Sequence, residues 1–201
     1  MTMRSYDREA LRGLLASRSF KRDEVNGFRL ASGVRSRVYF NLKTTMLHPQ
    51  GAAECALGLL AVLDGLEADY VAGLEMGAVP LLSVVAALSA DGPRPVSAVF
   101  VRKKPKDHGT ALMIEGLDEL GGDTLVGKRV VLIDDVATSG GSMLQAADQI
   151  RGAGGDVRDA IVIVDREQGA AARLAESGLA FHRLFTAADL GVTEQDLVPL
   201  D

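Results

Sequence analysis

The segment KRVVLIDDVATSGGSMLQAA, residues 128–147, constrains the fold of this chain more than any other. Val130, Val131, Leu132 and Ile133 form an unbroken aliphatic run, which predicts a strand buried on both faces. The run meets two adjacent acids, Asp134 and Asp135, then a small-residue loop over residues 137–142, then a helix over residues 142–153. A doubly buried strand that feeds a helix is the building unit of a parallel sheet wrapped by helices.

The rest of the chain keeps that rhythm. Strands are predicted over residues 70–73, 96–101, 130–133 and 160–164, and helices over 79–88, 142–153 and 170–177. Ahead of them come a helix over 6–17, with Leu11, Leu14 and Leu15 at helical spacing, and a hairpin over 28–42 turning at Ser32-Gly33. A helix over 49–64 opens with Pro49. The expectation is one α/β domain over residues 1–201, with a mostly parallel central sheet flanked by helices. Residues 103–128 break the alternation, being charged, glycine-containing and too long for an ordinary connection. Aromatic residues make up only 4%, so the core must come from Ala, Val, Leu and Ile.

The formal net charge of −5 argues against broad binding to nucleic acid or anionic membranes. A single cysteine, Cys55, sits in an apolar helical stretch, where a buried structural thiol is expected rather than a nucleophile. The N-terminus lacks the apolar run of a secretory signal, and no apolar stretch approaches the roughly 20 residues that span a bilayer. A cytoplasmic protein is expected.

Chemistry concentrates after the aliphatic strand. In an open α/β sheet, ligands bind beyond the carboxyl ends of strands. The loop amides, the helix N-terminus and the hydroxyls of Thr138, Ser139 and Ser142 suit a phosphate, while Gly140 and Gly141 permit close approach. Two acids repel a phosphate, so Asp134 and Asp135 suit sugar hydroxyls or a bridging cation. A phosphorylated sugar meets both needs. The plain alternative is a βα turn with acids capping the helix. The ordered combination of strand, double acid, Thr-Ser-Gly-Gly-Ser and helix favours a ligand. Neither a Walker P-loop nor a GxGxxG fingerprint is present.

VVLIDDVATSGGS resembles the signature of the type I phosphoribosyltransferases that binds phosphoribosyl pyrophosphate (PRPP). The resemblance implies that family's fold, including a small N-terminal hood (mainly residues 1–48 plus C-terminal residues). It also implies that Asp134 and Asp135 meet the ribose hydroxyls, and that Val136, Ala137, Thr138, Ser139, Gly140, Gly141 and Ser142 hold the 5-phosphate.

Residues 101–116, VRKKPKDHGTALMIEG, resemble the flexible catalytic loop of the orotate phosphoribosyltransferases, set here at about residues 102–116. Departing pyrophosphate gathers negative charge, so cations must close over it. Arg102, Lys103, Lys106 and His108 supply them, and Gly109 permits closure. A solvated charged turn is the plain alternative. The resemblance further implies magnesium held by substrate oxygens and water, with no direct protein ligand, and a homodimer in which the loop completes the neighbour's site. Residues 28–52 resemble the hood, where Tyr39 and Phe40 pack around the pyrimidine or simply form core. Arg166, just after a strand, is assigned to the orotate carboxylate, with Thr138 also touching the base. The alternative for Arg166 is a salt bridge to Asp165 or Glu167.

The resemblance assigns backbone groups of the loop from Glu75 to Pro80, including Glu75 and Met76 in GLEMGAVP, to the pyrophosphate; the alternative for Glu75 is a strand-end surface acid. The chain departs from some members in two places, carrying Ala31 and Met76 where those have lysine; whether Arg35, Arg37 or Lys43 compensates is left open. The reaction implied is transfer of the 5-phosphoribosyl group from PRPP to orotate, yielding orotidine 5′-monophosphate. The rivals are a transferase for another base and a PRPP-sensing, nucleic-acid-binding regulator. A fused decarboxylase does not fit the length.

Overall fold

The computed structural model describes residues 5–23, 25–29, 35–104, 113–117 and 125–197. Helix α1 (Arg8–Arg18) starts at Asp7, whose carboxylate accepts the Ala10 N–H, and it buries Leu11 and Leu15. Four short strands follow: β1 (Phe20–Arg22), β2 (Phe28–Arg29), β3 (Arg35–Ser36) and β4 (Val38–Phe40). β1 pairs with β4 and β2 with β3, both antiparallel. The expected hairpin is therefore present but begins at Phe20, because a three-residue strand is too short to show a period of two. A one-turn helix that the pattern did not reveal, α2 (Lys43–Met46), leads to α3 (Pro49–Leu63).

The alternating part runs β5 (Tyr70–Leu74), α4 (Val79–Ser89), β6 (Ser97–Val101), β7 (Ile114–Glu115), β8 (Arg129–Ala137), α5 (Gly141–Gly152), β9 (Asp156–Asp165), α6 (Ala170–Glu176) and β10 (Ala180–Thr186). A 3-10 turn at Ala188–Leu190 and α7 (Glu194–Leu197) follow. The main sheet has the order β10-β9-β8-β5-β6-β7, parallel throughout except for β7 at the edge.

Two boundaries differ from the sequence pattern. β8 continues past Ile133 through both acids to Ala137, since Asp134 pairs with Val162 and Ala137 with Asp165. The hydrophobic run stops where the strand enters the site, so the pattern marked the end of the core rather than the end of the ladder. β9 also runs longer than its apolar pattern, ten residues, because Asp156, Arg158 and Asp159 at its start are solvated around buried Val157.

Side chains alternate across the sheet and build a core on each face. Val131, Ile133, Ile161 and Ile163 meet α1, α3 and α4, whereas Val130, Leu132, Ala160 and Val162 meet α5 and α6. A third, small core of Val38, Ala187 and Val192, with Phe20 and Phe40, joins the hairpins to the C-terminal segment. Arg22 adds an ion pair to buried Asp196 at 2.7 Å. The chain steps from β5 outward to β6 and β7, then returns to the opposite side of β5 as β8. The switch point lies between β5 and β8, and a ligand is expected over their carboxyl ends.

Candidate active site

Strand alternation sends the two acids of β8 to opposite faces of the sheet. Asp134 turns toward α5, where its Oδ2 accepts the Ser142 hydroxyl at 2.7 Å and its Oδ1 accepts the Asp135 N–H at 2.9 Å. It is only 6% exposed. Burial, and after it the charge of Asp135, push the Asp134 carboxyl up to about 7. Asp135 turns toward the N-terminal unit, and its Oδ2 lies 3.5 Å from Lys43 Nζ.

Beyond β8 the chain enters the cradle. Thr138 and Ser139 are exposed, and Gly140 takes a left-handed conformation (φ 74°) to open α5. Among the described residues no side chain caps α5, and its first turn carries no acid. Its leading amides therefore offer hydrogen bonds and a positive helix end to an anion. Arg173 of α6 donates to the Ser139 carbonyl at 3.4 Å, bringing a further cation beside the loop. The sequence reading missed Arg173, which lies 34 residues from Ser139 in the chain.

The β5–α4 loop closes the other side of the switch point. A Cβ on Gly77 would lie 2.6 Å from Asp134 Oδ1 and 2.7 Å from Asp135 Oδ1, so this backbone is pressed against both carboxylates. Gly77 was also missed; the available signal was a second glycine four residues after Gly73, directly beyond a strand. Met76 is 59% exposed, and the Glu75–Met76 peptide is cis. Glu75 turns away from the acids, and its Oε1 accepts the Lys103 N–H at 2.7 Å.

Arg102 and Lys103 follow directly from β6. The Arg102 N–H donates to Met113 at 2.8 Å, and its guanidinium reaches Glu115 at 3.3 Å. Residues 102 and 113 thus meet at one point on the sheet edge. Lys106, His108, Gly109 and, in the hairpin, Ala31 lie outside the described residues.

The end of β9 carries Arg166, 9% exposed, with its backbone N–H bonded to the Ala137 carbonyl. Its guanidinium sits 5.6 Å from the centre of the Phe40 ring, and Nε is buried with no hydrogen-bond partner among the described residues. Burial lowers its pKa from the ordinary arginine value. The salt bridge weighed above does not form with Asp165, because that carboxylate pairs with Arg183 at 2.8 Å and accepts the Glu167 N–H. A buried guanidinium with an N–H unpaired among the described residues suits an anion. Phe40 therefore joins Arg166, whereas Tyr39 faces the other side of β4 and packs on Phe28, ring centres 5.6 Å apart. Neighbouring strands lie about 4.8 Å apart, so the span from β6 to β9 is roughly 14 Å, enough for a phosphosugar with a base beside it.

Cys55 is fully buried, with its thiol pushed up to about 12 by that burial, and His182 pairs with Asp159 at 2.8 Å on the sheet margin. Both are structural. Among the described residues no three His, Cys, Asp or Glu side chains group as a metal cage, and no helix is long and apolar enough to cross a membrane.

Comparison with known proteins converges on one family. Residues 41–177 match the phosphoribosyl transferase domain. The chain is 47% identical over 186 residues to an orotate phosphoribosyltransferase of Rhodopseudomonas palustris (strain BisB18), covering 92% of this chain and 97% of that protein. A Bradyrhizobium relative of the same name (strain ORS 278) is 46% identical over 184 residues, with the same coverage of each chain. Among solved structures, Mycobacterium tuberculosis orotate phosphoribosyltransferase in complex with PRPP superposes with a TM-score of 0.73 at 28% identity, covering 92% of this chain and 99% of that one.

Proposed function

The chain belongs to the orotate phosphoribosyltransferases, and on that premise we propose how its residues divide the transfer of a 5-phosphoribosyl group from PRPP to orotate. The cradle of Thr138 to Ser142, with the N-terminus of α5, takes the 5-phosphate. Asp134 and Asp135 accept the ribose hydroxyls. The Glu75–Gly77 backbone and the basic segment from Arg102, including Lys103, Lys106 and His108, receive the pyrophosphate. Arg166 pairs with the orotate carboxylate, with Phe40 and Thr138 flanking the ring. N1 of the base gives up its proton to solvent and bonds to the anomeric carbon as the bond from that carbon to the pyrophosphate oxygen breaks, the pyrophosphate leaving with that bond's electron pair. No protein nucleophile is required; rate comes from alignment and from stabilised charge on the leaving group.

Magnesium belongs to this reading. Two adjacent carboxylates, one pushed up partly by the other's charge, fit a nearby divalent cation reached through ribose hydroxyls, pyrophosphate oxygens and water. When bound, the ion spreads the negative charge of the pyrophosphate. We also read the protein as a cytoplasmic homodimer. What supports the dimer is the resemblance of the basic loop, together with the meeting of its ends at the β7 margin of the sheet, away from β9.

The observation that carries the base assignment is the buried guanidinium of Arg166 with its partnerless Nε. The test is a substrate panel. Orotate should be consumed and uracil, which lacks the carboxylate, left intact. Arg166→Gln should raise the KM for orotate by roughly 10- to 100-fold while PRPP binding holds. Equal use of uracil by the unmodified enzyme would contradict the assignment.

A further inference from the structure

We propose that Lys43 is a positioning residue for PRPP, holding the Asp135 carboxylate aimed at the ribose. The proposal deepens the reading of the cradle above and rests on it. Two adjacent carboxylates resist joint ionisation, and the buried member, Asp134, is the one driven toward its protonated form. Among the described residues, Lys43 is the cation paired with either acid, at 3.5 Å from Asp135 Oδ2. From the β5–α4 loop, Asp135 meets the backbone of Gly77, and Glu75 is turned to the Lys103 amide.

The root of Lys43 is held firmly. Leu42 and Met46 on either side are buried in the core. Thr45 is fully buried, its hydroxyl 2.6 Å from Ser19 Oγ, and the Thr44 hydroxyl donates to the Arg18 carbonyl at 2.7 Å. A Cβ on Gly51 would come within 2.2 Å of the Thr45 carbonyl oxygen, so α3 packs against α2 with no slack. An ammonium on such a base has a fixed origin. Its tip is half exposed and open to an arriving anion. The chain thus places a lysine over the acids from the N-terminal side, in a site where the neighbouring loop carries Met76.

The test measures PRPP binding by calorimetry without orotate, and then steady-state rates with it. Lys43→Ala should weaken PRPP binding and raise its KM by roughly tenfold, with kcat and the KM for orotate changed less than about twofold. Lys43→Arg should recover most of the loss. Met76→Lys in the Lys43→Ala background should recover part, by returning a cation beside Gly77. PRPP affinity within about twofold of the parent in Lys43→Ala, or an arginine no better than alanine, would overturn the proposal. If Lys43→Ala fails to fold, Lys43→Met keeps the stem and faces the same criteria. Because calorimetry contains no base, weakened PRPP binding without orotate turnover would uphold Lys43 and sink the base assignment. Orotate turnover with unchanged PRPP binding in the variant would do the reverse.

Discussion

The cradle and the N-terminal unit come together at Asp135 and Arg166 but are built on different scales. In the cradle, strand, acids, loop and helix follow one another within residues 128–147, and Asp134 finds Ser142 eight positions away. The N-terminal unit is fastened by partners far off in the chain. Arg22 reaches Asp196, 174 positions away, Phe40 lies under Arg166, and Lys43 reaches Asp135. In the proposed reading, local chemistry takes the phosphosugar, and long-range contacts set what stands opposite it. A motif can therefore declare the donor, while selection of the acceptor depends on how two distant pieces dock.

The sharpest way to break the comparison is at Gly77, where a methyl group would collide with both carboxylates. Gly77→Ala should lower kcat/KM for PRPP on the order of 10²-fold while far-ultraviolet circular dichroism stays unchanged. A loss below about threefold would show that the loop is not pressed on the acids.

A smaller effect concerns Asp134 and pH. Its folded-state carboxyl, at about 7, lies above the ordinary aspartate value of 3.8. Over that interval the folded state binds more protons than the unfolded state, so stability falls as pH rises from about 4 to about 7 and then levels. Urea midpoints of the ligand-free enzyme between pH 5 and pH 8, values chosen to straddle about 7, should show this decline, and Asp134→Asn should abolish its share. An identical pH profile in the variant would remove Asp134 as the cause.

The smallest effect expected is at the tether of the N-terminal unit. Arg22→Ala should cost about 1 kcal/mol and roughly 2–4 °C in Tm, because Arg22 is partly solvated. It should raise KM for both substrates about twofold to threefold, since loosening this unit disturbs Phe40 and Lys43 together. A rise confined to one substrate would mean that the unit does not move as one piece.

What was legible in the sequence follows the same division. The parallel sheet, the acids and the cradle could be read from residues adjacent in the chain, where a period of two or a run of small residues carries the signal. The unpaired state of Arg166 could not, because Asp165 is claimed by Arg183 from the neighbouring strand. Nor could the facing of the two aromatics: alternation separates Tyr39 from Phe40, but only the docked position of β4 decides which meets Arg166. Gly77 and Arg173 were missed because their partners come from other strands and helices. Lys43 stood open beside Arg35 and Arg37 until α2, too short to show periodicity, was placed.

The most direct test of the account is the absorbance of orotate after mixing the purified enzyme with orotate, magnesium and PRPP. The account predicts a PRPP-dependent loss that is sharply slowed in Lys106→Ala, with folding barely changed. No loss of orotate while PRPP still binds would contradict it.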